Sequence, residues 1–264
     1  MAKQGDFTFQ GSMDGFSFYY DRIHGYLVRR TGGATSAQFL TAPCYAAARD
    51  ASAEFSGVSQ AGKLIRDALS EFILQVKDSS MVNRLMKELV SIKELDTQNP
   101  KGKRRPEHLL SDPRINSGFR MFQFNSEVNL CDLLSLAVKR DSAEGSVISL
   151  AYDDRSCRIP ALTCDVSLLA SGFPEPATHA GLSLIRTFVD FEMKCFQTYS
   201  STMGLTAKSD SKEIQLKLPA PEHAAGVEII CLQVLFFSEH NGDLIQLPGK
   251  VHAMGIVEVR SWYV

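Results

Sequence analysis

Hydrophobic and polar positions follow two different periods along this chain, and the changes of period divide it. Residues 6–30 alternate with period 2. In "DFTFQ" (6–10) Phe7 and Phe9 share a face, in "FSFYY" (16–20) Phe16, Phe18 and Tyr20 do, and in "GYLVRR" (25–30) Tyr26 and Val28 do. The connections "GSMDG" and "DRIHG" carry the glycines and aspartates of tight turns, so the spacing predicts a three-stranded β-meander over residues 1–33.

After the Gly/Ser/Thr-rich connector "TGGATSAQFLTAP", the period lengthens. Ala51, Phe55, Val58, Gly62, Ile65, Leu69, Phe72 and Val76 stand alternately four and three apart, which predicts one narrow stripe on a long helix. Val82, Leu85, Leu89 and Ile92 share a face of a second helix, capped by Ser79 or Ser80. The turn "KDSS" is short, so the two helices are expected to lie antiparallel as a hairpin. "DTQNPKGKRRPEH" ends the helical region with Pro100, Gly102 and Pro106, which places the hairpin and a basic loop within residues 34–113.

From residue 114 to 264 the runs become short and apolar: "FRMFQF", "LLSLAVK", "SVISLAY", "LTCDVSLLA", "LSLIRTFVDFEMKCF", "EIQLKL", "VEIICLQVLFF" and "GIVEVRSWYV". Turn residues separate them, which argues for an antiparallel β-sandwich. The fold class expected is α+β, mainly β: meander, helical hairpin, then sandwich.

Composition changes this picture little. With 264 residues, 44% of them hydrophobic, the chain can bury a substantial core. A net charge of -2 gives no global reason to seek a polyanion. The N-terminus lacks an apolar signal-like region and no run approaches the roughly 20 residues of a spanning helix, so synthesis in the cytoplasm without a signal peptide, and no membrane partner, are expected. The six cysteines form no C-x-x-C pair and read as reduced thiols packed as small hydrophobes. Cys157 and Cys164 bracket "RIPALT" without a zinc partner pattern, and no metal or cofactor is expected.

Candidate chemistry is sparse. No nucleophile elbow, Walker loop, dinucleotide fingerprint or H-E-x-x-H occurs. Asp153 and Asp154 read as a turn, because neighbours on a strand point to opposite faces. Asp190, Glu192 and Lys194, alternating with Phe191, Met193 and Cys195, read as the solvated face of a strand. The histidines His24, His108, His179, His223, His240 and His252 stand apart. The basic groups that could contact phosphate are Arg29, Arg30, Lys101, Lys103, Arg104 and Arg105, although four cations flanked by prolines more simply form a solvated loop.

"DGFSFYY" invites comparison with the aromatic signature of the RNA-recognition motif. Gly15, Phe16 and Phe18 fit. Asp14, Ser17 and Asp21 do not, and only "GSMD" precedes the run where that fold needs a helix and a strand. A buried face is the simpler reading. Phe7, Phe9, Phe16, Phe18, Tyr20 and Tyr26 together present several hundred Å² of apolar surface, which a lone meander cannot cover. These six rings are the candidate assembly interface, docking on the chain's own helices or, as the flexible connector favours, on a neighbouring copy.

Gly11, Gly15, Phe18, Tyr19, Tyr26, Arg29 and Gly32-Gly33, followed by Arg49, Glu54, Phe55, Ala61, Gly62, Lys63, Leu64 and Arg66, form an ordered set. It resembles a group of small Bacteroidota and phage-associated proteins to which no activity is assigned. Ser59 departs from the pattern, and beyond "THAGLSLIRTFVDFE" the C-terminal half shows little of it. The resemblance implies a component of a phage-like particle, tube or filament. The function expected is a non-catalytic structural protein that assembles as a homo-oligomer, with no small-molecule ligand identified. The alternatives are a nucleic-acid-associated protein using the local basic patches and a hydrolase with a site in the sandwich loops.

Overall fold

The computed structural model describes residues 2–76, 78–110, 112, 114–115, 117–135, 150–152, 162–210, 213–221 and 225–262. The fold is α+β and mainly β, and its contacts form two compact units, residues 1–51 and 52–264.

In the first unit β1 (Ala2–Lys3), β2 (Gly11–Met13), β3 (Phe16–Asp21) and β4 (Gly25–Arg30) make an antiparallel sheet in the order β1-β4-β3-β2. The meander is there, but its first strand is 11–13 and not "DFTFQ". Residues 6–10 are irregular because the Gln4 side chain takes the place of a partner strand. Its Nε2 donates to the carbonyls of Phe9 (3.0 Å) and Leu27 (2.9 Å), and its Oε1 accepts the Phe9 N–H (2.6 Å). Asp14 and Gly15 close the β2–β3 hairpin with φ of 49° and 76°, the two left-handed residues that a two-residue turn requires. The next turn is held by Asp21 Oδ1, which accepts the N–H groups of Ile23 and His24.

Two helices follow. In α1 (Ser36–Thr41) Thr35 and Gln38 cap each other's backbone, and Arg49 Nη1 donates to the Phe39 and Ala42 carbonyls at its other end. The boundary between the units falls within α2 (Ala46–Ala68). Among the described residues of the first unit, Leu27 alone is buried.

In the second unit α2 continues to Ala68, a single turn, α3 (Ser70–Ile73), follows, and α4 (Met81–Glu94) runs back along α2. Glu54 meets Lys93, and a Cβ at Gly62 would touch Met86 and Leu89, so the pair is antiparallel as the short turn implies. The buried stripe holds from Val58 through Ile65 and Leu69 to Val76. Its start differs, since Phe55 is exposed and Glu54 points inward. The long helix itself ends earlier than the stripe, at Ala68, where strand side chains take over helix carbonyls: Thr198 Oγ1 donates to Ala68 O (2.8 Å) and Gln233 Nε2 to Phe72 O (3.0 Å).

Beyond the helices come α5 (Ser117–Arg120), α6 (Leu130–Leu133), β5 (Leu134–Ser135), β6 (Leu150–Tyr152) and β7 (Leu162–Leu168). They are followed by β8 (His179–Asp190), β9 (Cys195–Ser200), β10 (Gly204–Ala207), β11 (Ile214–Leu218), β12 (Gly226–His240), β13 (Asp243–Gln246) and β14 (Ala253–Trp262). β8 and β12 pair along their length at the centre of a six-stranded sheet, with β9 and β10 outside β8 and with β13 and β14 outside β12. A smaller sheet has β7 at its centre, flanked by β11 and by β5 and β6. Gly226 opens β12 at φ 99°, and a Cβ there would run into the Val189 carbonyl.

The large sheet is buried on both faces. Ile185, Val189, Val227, Ile229, Cys231, Met254 and Ile256 share a core with Val58, Ile65, Leu85 and Leu89 of the helices. On the other face Leu182, Leu184, Ile230, Leu232, Val234 and Phe236 share a core with Leu162, Cys164, Val166, Leu216 and Leu218 of the small sheet. The result is three layers of helix, sheet and sheet.

Two of the expected strands are something else. "FRMFQF" is α5 followed by irregular chain, with one isolated bridge between Gln123 and Gly255, because Phe119, Phe122 and Phe124 are all buried and do not alternate. "VDFEMKCF" holds the end of β8, a turn at 191–194 and the start of β9: Asp190 Oδ1 accepts the N–H groups of Glu192 and Met193, and Lys194 adopts a left-handed φ of 55°. Asp153, Asp154, Cys157 and His223 lie outside the described residues, as do residues 136–149 of the expected strands.

Candidate functional site

The candidate interface is built by strand register. Phe16 stands opposite Arg30, Phe18 opposite Val28 and Tyr20 opposite Tyr26, so these six side chains share one face of the N-terminal sheet, and Met13, opposite Phe16, joins them. The Phe9 ring meets Phe18 edge-on at 6.1 Å between centroids, and Tyr20 meets Tyr26 at 5.0 Å. Edge-to-face contacts of this kind suit the ring quadrupoles, yet they leave most of the surface open. Exposure is 80% for Phe7, 56% for Phe9, 44% for Phe16, 54% for Tyr20 and 37% for Tyr26, with Phe18 half-buried between them. The opposite face carries Ser17, Tyr19, Leu27 and Arg29. There Leu27 is buried and the Arg29 guanidinium lies 5.5 Å from the centre of the Tyr19 ring.

Within each unit the basic residues are divided. Arg29 and Arg30, adjacent on β4, project to opposite faces. In the basic loop Lys101 and Lys103 are exposed, whereas Arg104 grips Glu54 with two bonds, Nε to Oε1 (2.7 Å) and Nη2 to Oε2 (2.8 Å). Lys93 Nζ (2.9 Å) and the Gly102 N–H (2.8 Å) complete the shell of Glu54. The Arg104 bonds are the main reason that the Glu54 carboxyl is lowered to about 2. Burial opposes the shift, and Lys93 and Gly102 add to it. Arg105 donates from Nη1 to the carbonyls of Gly102 and Arg104. The loop is therefore half engaged, its two arginines tied inward and its two lysines outward.

Other titratable groups are bound to the fold. Burial acts to raise the Asp78 carboxyl, but bonds from the Ser80 hydroxyl and N–H, from Arg84 and from the Ser126 N–H outweigh it and hold it well below the usual range. Asp96 is treated in the same way by Asn99, His108 and the Gln98 N–H. Arg186 and Glu228 form an ion pair that is wholly buried in the large sheet, with the guanidinium 5.0 Å from the Phe188 ring centre. His252 is also wholly buried, and its Nδ1 accepts the Phe236 N–H (3.2 Å). Burial lowers its pKa and favours the neutral ring that this bond needs.

Cys164 and Cys231 lie in the two cores. Burial pushes the Cys164 thiol up to about 12 and the Cys231 thiol higher still. Among the described residues no group of three His, Cys, Asp or Glu side chains is placed to hold a metal ion, and no helix is long and apolar enough to cross a membrane.

Two contributors escaped the sequence reading. Met13 belongs to the aromatic face, and the two-residue Asp-Gly turn that sets it opposite Phe16 was the available signal. Glu54 anchors the basic loop, and the spacing 54, 58, 61, 65, 68 would have placed it on the buried stripe. Comparison with protein-family models, curated proteins and solved structures finds no match for this chain.

Proposed function

We propose that the chain is a non-catalytic structural protein that acts by assembling with copies of itself, through the aromatic face of the N-terminal sheet. One observation carries the reading: a unit of about fifty residues holds, among its described residues, five exposed aromatic rings on or beside one sheet and a single buried side chain. Three or four short strands need a packed face to be stable, and a second copy docked on the rings would supply one.

A second copy fits that role in size. The exposed rings amount to roughly 500 Å² per copy at about 200 Å² per ring. Two such faces packed together bury about 1,000 Å², the lower bound of a specific interface. A two-fold arrangement closes as a dimer. A head-to-tail arrangement propagates, and that is the form in which the protein would serve as a component of a particle, tube or filament.

The reading is tested by substituting Phe16→Ser together with Tyr20→Ser in the full chain and measuring mass by light scattering. The double variant is expected to lose association, while Arg29→Ser on the opposite face keeps it. Unchanged association in the double variant would remove the aromatic face from the account.

A further inference from the structure

A cavity of about 560 Å³, of a size that takes small molecules, opens in the second unit between α2, the 105–107 segment and the turn joining β8 to β9. Its charged lining is Lys63 and Asp67 from α2, Arg105 and Glu107 from the segment, and Lys194 from the turn, beside the Phe191 ring.

Three features set this lining apart from a chance group of surface charges. Arg105 is seated against the helix at Gly57, where a Cβ would stand 2.6 Å from its Cδ and Nε, and among the described residues its guanidinium bonds through Nη1 alone, to the Gly102 and Arg104 carbonyls. Its remaining donors are thus held in place at the cavity wall. Glu107 Oε2 is buried with no hydrogen-bond partner among the described residues, and burial raises its carboxyl above the usual range. Lys194 occupies a left-handed position that glycine or asparagine would fill at lower cost.

We propose that this cavity binds a small organic anion, a phosphate monoester or a carboxylate, that carries a hydroxyl group beside its charge. Lys63, Arg105 and Lys194 take the anion, and the Glu107 carboxyl group at the cavity wall accepts a hydrogen bond from the hydroxyl. Asp67 and Glu107 offset two of the three cations, which suits a ligand of one or two charges and disfavours a polyanion. The site lies wholly in the second unit and does not depend on self-assembly.

Titration calorimetry of the full chain with glycerol 3-phosphate, glycerate, inorganic phosphate and glycerol tests the proposal. Binding of glycerol 3-phosphate or glycerate is expected, and which one binds names the anion. Inorganic phosphate is expected to bind at least fivefold more weakly, and glycerol not at all. Lys194→Gly should keep or raise the melting temperature while weakening binding at least fivefold, which separates the ligand role from a folding role. Lys63→Gln should weaken binding similarly, and Glu107→Leu should abolish the preference over inorganic phosphate. No heat with either organic anion at millimolar concentration, or affinity unchanged in Lys63→Gln and Lys194→Gly, would overturn the site. Equal binding of inorganic phosphate by the unsubstituted chain would overturn the part given to Glu107.

Discussion

Glu54 ties three segments together through one carboxylate, receiving Arg104, Lys93 and the Gly102 N–H. Replacing it with Gln leaves two cations without their counter-charge in a place nearly closed to water. We expect Glu54→Gln to cost about 3 kcal/mol, read by urea unfolding. The pH dependence has a definite sign. The folded carboxyl is lowered to about 2 from its ordinary 4.5, so its contribution is complete above pH 4.5 and is lost as pH falls from there towards 2. Glu54→Gln should flatten the stability curve within that window. His252 acts higher on the scale. Burial lowers its pKa below 6.5, so its contribution is full above pH 6.5 and declines as acid protonates the unfolded chain more readily than the folded one. His252→Gln, whose amide oxygen can still accept the Phe236 N–H, should remove this slope below pH 6.5. Neither residue was legible as a structural group. Phe55, one position from Glu54, has the hydrophobicity that a stripe reading selects, and a buried charge has no periodic signal of its own.

Among the elements, the N-terminal sheet depends on a side chain in place of a backbone ladder. Gln4 holds Phe9 and Leu27 by three hydrogen bonds, and through Phe9 it holds the ring that meets Phe18. Gln4→Ala should release residues 6–10, and with them Phe7 and Phe9, from the aromatic face. We expect weaker self-association, with the cooperative unfolding of the second unit unchanged when followed by circular dichroism. The alternation of "FSFYY" and "GYLVRR" revealed the face and its register, because a two-residue turn at Asp14-Gly15 and a short turn at Asp21–Gly25 leave little choice of pairing. "DFTFQ" alternates just as well and is not a strand. Alternation reports which residues could share a face, whereas a strand also needs a neighbouring backbone, and that place is taken by the Gln4 amide. "VDFEMKCF" failed for a related reason, since Asp190 turns the chain with a local side-chain bond that no period of 2 registers.

At the scale of the whole molecule, the two units differ in how they are made stable. The second closes two cores, one on each face of the large sheet. That is why β12 reads as a nearly unbroken apolar run and shows no alternation: successive side chains face the helices and the small sheet in turn. The β-rich class and the helical hairpin were therefore legible from the runs themselves, whereas the layering was not, because a run buried on both sides does not say what covers it. Among its described residues the first unit closes no core and keeps Phe7, Phe9, Phe16, Tyr20 and Tyr26 exposed. Its aromatic content was legible and its state of burial was not, since the same six rings fit a covered face and an open one equally. The self-assembly proposed for it meets its most direct test in sedimentation velocity of the unaltered full chain over a concentration series from about 1 to 100 μM. Self-association predicts a mass that rises with concentration above the 29.2 kDa of one chain, and a single 29.2 kDa species across the whole series would contradict it.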